Sequence, residues 1–159
     1  MKKMIIIFIL LSALSLTVSA QDLDRMMADL AKVENVVRQV VNKDMLDTSM
    51  GEQKKDLPSF LKNITKIEVL ALEDGNEEIK NNLIKEISSF KDGNGYETLL
   101  QVKDDEDNVH IISYKDENKL SHLYIIAIDE DDIAFIKMSG ELSQQDMLDI
   151  VEQQQKNNK

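Results

Sequence analysis

Two histidines, His110 and His122, and two acidic runs are the side chains whose types could carry chemistry in this sequence, which contains no cysteine. The histidines fall on adjacent expected strands, on one face but offset along it. A two-histidine metal site would need a carboxylate at the same level, and that face offers none. The runs Asp104–Asn108 and Asp129–Asp132 invite a calcium reading. An EF-hand loop requires glycine at its sixth position and a bidentate Glu at its twelfth. Counting from Asp104 gives Val109 and Lys115, and counting from Asp105 gives His110 and Asp116, so neither frame fits. Acid–base work by paired carboxylates needs a cleft that pushes their pKa values apart, yet the acids here lie in turns or on polar helix faces. Asp92-Gly93-Asn94-Gly95 closes a helix where a phosphate loop would open one, and no Lys-Ser/Thr follows it. The serines lack a nucleophile-elbow context. We expect no catalytic residue, no metal ligand and no cofactor; an unrecognised enzyme is the least favoured reading.

The elements that position these residues follow from periodicity. Leu23, Met26, Met27, Leu30 and Val33 recur at helical spacing, predicting a helix over 22–33. Val37, Val40 and Val41 could extend that stripe, but four valines within six residues favour a strand at 35–42. Met45–Lys55 reads as a polar loop, and Pro58 as the first turn of a short helix. Lys66–Leu72 reads as a strand. Asn76 caps a helix whose stripe is Ile79, Leu83, Ile87 and Phe90. From Tyr96 the period becomes two, with strands near 96–103, 108–115, 120–128 and 132–139 separated by acidic turns. Gly140 ends the sheet. Ser143 with Asp146 approximates a capping box and Leu142 with Met147 a hydrophobic staple, opening a last helix.

Tight turns would pair Ile112 with His122 and Ile126 with Phe135, which sorts the side chains into two faces. An aliphatic face carries Tyr96, Thr98, Leu100, Val102, Val109, Ile111, Leu123, Ile125, Ala127, Ala134 and Ile136. An aromatic face carries His110, Tyr114, Leu120, His122, Tyr124, Ile126 and Phe135, together with Ile112, Ile128, Ile133 and Lys137. The expected fold is α+β: an antiparallel meander of four strands plus one or two amino-terminal strands, with helices packed on one face, the last two covering the aliphatic side. The aromatic face is then a candidate interaction surface centred on His110, Tyr114, His122, Tyr124, Ile126 and Phe135. The alternative is that the amino-terminal helix folds across that face and buries it.

Lys2 and Lys3, the apolar run Met4–Leu16 and Val18-Ser19-Ala20 have the pattern of an export signal cut after Ala20. The stretch is short for a membrane span. The expected organisation is therefore a signal over 1–20, one domain over 21–152 and a frayed polar tail over 153–159. Removing Lys2 and Lys3 from the 19 basic residues leaves 17 against 30 acids, a mature net charge of −13. Such a surface repels phosphate backbones, so no nucleic-acid partner is expected.

The strings Lys66-Ile67-Glu68-Val69-Leu70, Tyr96-Glu97-Thr98-Leu99-Leu100 and Met138-Ser139-Gly140-Glu141-Leu142, with a closing amphipathic helix, resemble the domain of unknown function 4252 family. The resemblance covers roughly residues 23–152. It implies a small exported protein of a Gram-negative envelope, typical of Bacteroidetes, periplasmic or secreted. Many members are lipoproteins; without cysteine this chain departs from them and has no lipid anchor of that kind. The family has no established activity, so the resemblance supplies no site residue. It is linked to envelope-stress systems, implying a sensing or partner-binding role. The expected function is a non-enzymatic envelope module binding another envelope protein or a second copy of itself; a structural, self-associating protein is the alternative. Intact-mass measurement of the exported protein should give a chain beginning at Gln21, and retention of Met1–Ala20 would contradict the cleavage site.

Overall fold

The computed structural model describes residues 23–51, 59–104, 107–115 and 121–157. The export segment over 1–20, Pro58, Leu120 and the turn at Asp116–Asn118 lie outside the described residues. Within them the chain runs α1 (Leu23–Leu30), β1 (Val37–Asn42), α2 (Lys43–Met50), α3 (Ser59–Asn63), β2 (Ile64–Leu72), α4 (Glu77–Ser88), β3 (Tyr96–Lys103), β4 (Asn108–Lys115), β5 (Ser121–Ile128), β6 (Ile133–Gly140) and α5 (Gln144–Asn157). The strands form one six-stranded antiparallel sheet in the order β1-β2-β6-β5-β4-β3. The fold is α+β, as expected.

The meander register differs from the expected one by two residues in one hairpin. Ile112 faces Tyr124, not His122, whereas Ile126 does face Phe135. A slip of two preserves the side-chain phase, so the face assignments of β4, β5 and β6 survive it. β3 is different. Tyr96 pairs with Tyr114 and Thr98 with Ile112, and then Leu99 is an extra residue before Leu100 pairs with Ile111. This bulge switches the phase. Tyr96 and Thr98 therefore belong to the aromatic face and Leu100 and Val102 to the aliphatic one, where Leu99 also packs.

Helices cover both faces, which corrects the one-sided arrangement. Leu23, Met27 and Leu30 of α1 and Leu83 and Ile87 of α4 pack with Leu70, Ile112, Tyr124, Ile126 and Phe135 on the aromatic face. Burying each of these Leu or Met side chains contributes about 1.5–3 kcal/mol. Met147, Ile150 and Val151 of α5 pack with Ile64, Ile111, Leu123 and Ile125 on the aliphatic face, with Leu61 and Leu46 alongside. So α4 and α5 lie on opposite sides of the sheet.

Local signals explain most helix starts. Asn76 Oδ1 accepts the Glu78 N–H at 2.7 Å, with Glu77 and Glu78 in the first turn of α4. At α5 the capping box is reciprocal. Asp146 N–H donates to Ser143 Oγ at 3.1 Å, and Ser143 N–H donates to Asp146 Oδ2 at 2.9 Å. Leu142 and Met147 are both buried in the same core, as a staple requires. The tail expected to fray from Gln153 continues the helix as far as Asn157.

The expected polar loop is helical from Met45 to Met50, and its residues 52–55 lie outside the described residues. Asn42, the last residue of β1, turns its side chain to accept the Met45 N–H at 3.0 Å and so starts α2 directly off the strand. Gly51, with φ +45°, caps its far end. At the foot of the sheet, Gly140 pairs with both Ser121 and Ile64. The Asn63 carbonyl occupies the space where a Cβ on Gly140 would stand. Gly140→Ala should therefore overpack this corner and cost about 1–3 kcal/mol, read as a lowered denaturant midpoint; an unchanged midpoint would contradict the close approach.

Candidate contact surface

His110, Tyr114, His122, Tyr124, Ile126 and Phe135 do share one face of the sheet; four of them are interior, and Tyr114 and His122 are half-buried. Tyr124 is 1 % exposed, Ile126 and Phe135 are fully buried, and His110 is 3 % exposed. The interaction surface proposed from the alternation is thus corrected: α1 and α4 close over it. The rings pack against one another, Tyr124 edge-on to Phe135 at 6.5 Å and Tyr114 stacked on His122 at 5.9 Å. His122 Nδ1 lies 3.0 Å from Ser139 Oγ. Asp24 of α1 pins the cover. Its Oδ1 accepts from the Tyr124 hydroxyl at 3.1 Å and from Lys137 Nζ at 2.7 Å. Lys137 also stands 5.5 Å over the Tyr124 ring.

The buried and paired titratable groups have structural explanations. His110 Nε2 has no protein hydrogen-bond partner among the described residues. Burial lowers the His110 pKa from its usual 6.5 and favours the neutral ring. Beside α1, a recess of about 310 Å³ is lined by Asp24, Arg38, Glu68 and Lys137. Burial raises the Glu68 pKa, but hydrogen bonds from Lys66 and Arg38 outweigh that and hold it below the usual carboxylate value. In the acidic turn, Asp129 Oδ1 accepts the N–H groups of Asp131 and Asp132 at 3.0 and 2.7 Å, which builds the hairpin. Lys80, buried on α4, donates to the Glu130 carbonyl and to Glu77. Among the described residues no group of three His, Asp or Glu is placed to hold a metal ion.

Among the described residues, what remains open lies on the aliphatic face. The register aligns Val37, Ala71, Ala134, Ala127, Val109 and Val102 in one row across all six strands. At about 4.8 Å per strand spacing, the row is about 24 Å long. Val37 is 66 % and Val102 43 % exposed, and the four between them are half-buried. Of these six, only Val109 is packed against the aliphatic core; α5 lands on the next rows toward the foot of the sheet. At β1 the row runs into a recess of about 750 Å³ lined by Glu34, Val37, Ala71 and Glu73 among others. The sequence did assign Val102, Val109, Ala127 and Ala134 to this face. The overlooked signal was size: in β5 and β6 small residues stand at one end of this face and large aliphatics at the other, where a helix fits.

Two outcomes follow from these positions. Tyr124→Ala and Phe135→Ala each remove a core aromatic and should cost about 3–5 kcal/mol in a chemical-denaturation curve; loss of less than about 1 kcal/mol would mean that the face is open. Native His110 resists protonation while the unfolded chain takes up a proton near pH 6.5. Its contribution to stability is therefore present above that pH and lost as the pH falls through 6.5 toward the lower folded value. His110→Gln should remove that part of the slope, measured as denaturant midpoints across the same range.

No curated protein matches this chain. The family described as Domain of unknown function (DUF4252) matches over residues 29–150, which takes in the whole sheet, α2 to α4 and the start of α5. The chain belongs to this family.

Proposed function

We propose that this protein is a non-enzymatic binding module of the cell envelope, and that its contact surface is the end of the aliphatic face that the described helices leave uncovered. The observation that carries the reading is the row Val37–Ala71–Ala134–Ala127–Val109–Val102, an uncharged band across the whole sheet. A band of that extent, with its two ends exposed, is what a contact surface presents to water when unoccupied. Small side chains on a sheet face also let a second backbone approach closely. Support for a non-enzymatic role comes from the titratable groups: His110 is neutralised by burial, Asp24 holds α1 down, and Asp129 builds a turn. Support for an exported setting comes from Lys2, Lys3, the apolar run after them and Val18-Ser19-Ala20.

Photo-crosslinking in the cell that makes the protein tests the surface. A photoreactive side chain at Val37 or Val102 should yield one discrete adduct with another protein. The same group at Gln101, which is exposed on the opposite face of β3, should yield none. An adduct at twice the chain's mass would support a self-associating structural role instead. Failure to form any adduct at Val37 or Val102 would contradict the reading.

A further inference from the structure

We infer that the occupant of this surface is a basic amphipathic helix of another protein, lysine- or arginine-rich along one edge and aliphatic along the other. The inference rests on the contact-surface reading above and adds the chemistry of the partner. Two residues beyond the row, each of five strands reaches an acid: Glu73 after Ala71, Asp132 before Ala134, Asp129 after Ala127, Asp107 before Val109 and Asp104 after Val102. All five stand just past the strand ends, so at about 3.3 Å per residue an anionic rim borders the apolar row about 7 Å away. These acids are all exposed. The recess at the β1 end repeats the combination, with Glu34 and Glu73 beside Val37 and Ala71.

Two parallel bands, one aliphatic and one anionic, match a helix that presents adjacent stripes of apolar and cationic side chains. The row of about 24 Å corresponds to about 16 helical residues. Hydrogen bonds tie two of the acidic turns into one rim, since the Gly75 N–H donates to the Asp131 carbonyl at 2.6 Å. Those two turns are therefore presented as a unit. A second copy fits less well. Row against row, a second copy would bring no cationic stripe to meet the rim, and two chains of formal net charge −11 repel.

The test uses the full chain and three synthetic helical peptides of equal length. One carries leucine and lysine on opposite faces, the second replaces lysine with glutamate, and the third replaces leucine with serine. The leucine–lysine peptide should bind at least about tenfold tighter than either other peptide, and should weaken as salt is raised. Its binding should shift the methyl signals of Ala71, Ala127 and Ala134. The triple variant Glu73→Gln, Asp104→Asn, Asp107→Asn should lower its affinity about tenfold while leaving the thermal midpoint close to the parent's. Absence of binding, equal binding of the serine–lysine peptide, or methyl shifts confined to other parts of the molecule would overturn the inference. A photo-crosslinked partner at Val37 or Val102 whose recovery ignores the triple variant would leave the surface standing and refute the basic helix. A crosslink to a second copy alone would refute it as well.

Discussion

The pairing of β5 with β6, which sets Ile126 opposite Phe135 and Tyr124 opposite Lys137, decides what each face of this protein becomes. Side chains alternate across a strand, so this one register commits Tyr124, Ile126 and Phe135 to the same side. Three such residues on one side cannot stay wet. α1 and α4 supply the cover, and Asp24 accepts the two polar groups, the Tyr124 hydroxyl and the Lys137 ammonium, that the cover would otherwise strand. The same register sends Ala127 and Ala134 to the other side, opposite one another and next to Ala71. One alternation thus produces the deepest core and the barest surface.

Much of this was legible because the signals are local. The four meander strands, the Asn76 cap and the Ser143–Asp146 box depend on residues within a few positions of each other, and each stands where the spacing places it. What failed depends on partners distant in sequence or on a single backbone irregularity. The Leu99 bulge leaves no mark in a run that alternates well on both sides of it, so Tyr96 and Thr98 went to the wrong face. α2 has a weak stripe and begins inside a strand's last residue; only the Asn42 side chain reveals it. Whether the aromatic face was covered turned on where α1 docks, and no sequence spacing encodes that. Mixed polarity there was read as accessibility. It reflects instead a core that keeps polar tips, the Tyr124 hydroxyl among them, within reach of Asp24 and Ser139.

Size carries information that periodicity does not. On the aliphatic face the residues under α5, such as Ile111, Leu123 and Ile125, are large, whereas the row above them is alanine and valine, of which Val109 alone is packed against that core. Large apolar side chains left in water would promote indiscriminate association, and small ones limit that while keeping the surface dry enough to bind. The acids one step further along five of the strands add long-range discrimination, since they attract cations and hold other copies of a −11 chain apart. These turn acids have a structural duty as well, as Asp129 shows, which explains why their density need not mean a metal site.

The most direct measurement is the attenuation of methyl signals by a soluble paramagnetic agent in the folded chain. The account predicts strong attenuation at Ala71, Ala127, Ala134, Val37 and Val102, with the methyls of Ile112, Ile126 and Ile133 nearly untouched. Attenuation at Ile112 and Ile126 with protection of the alanine row would contradict it, placing the open surface on the aromatic face and the core on the other.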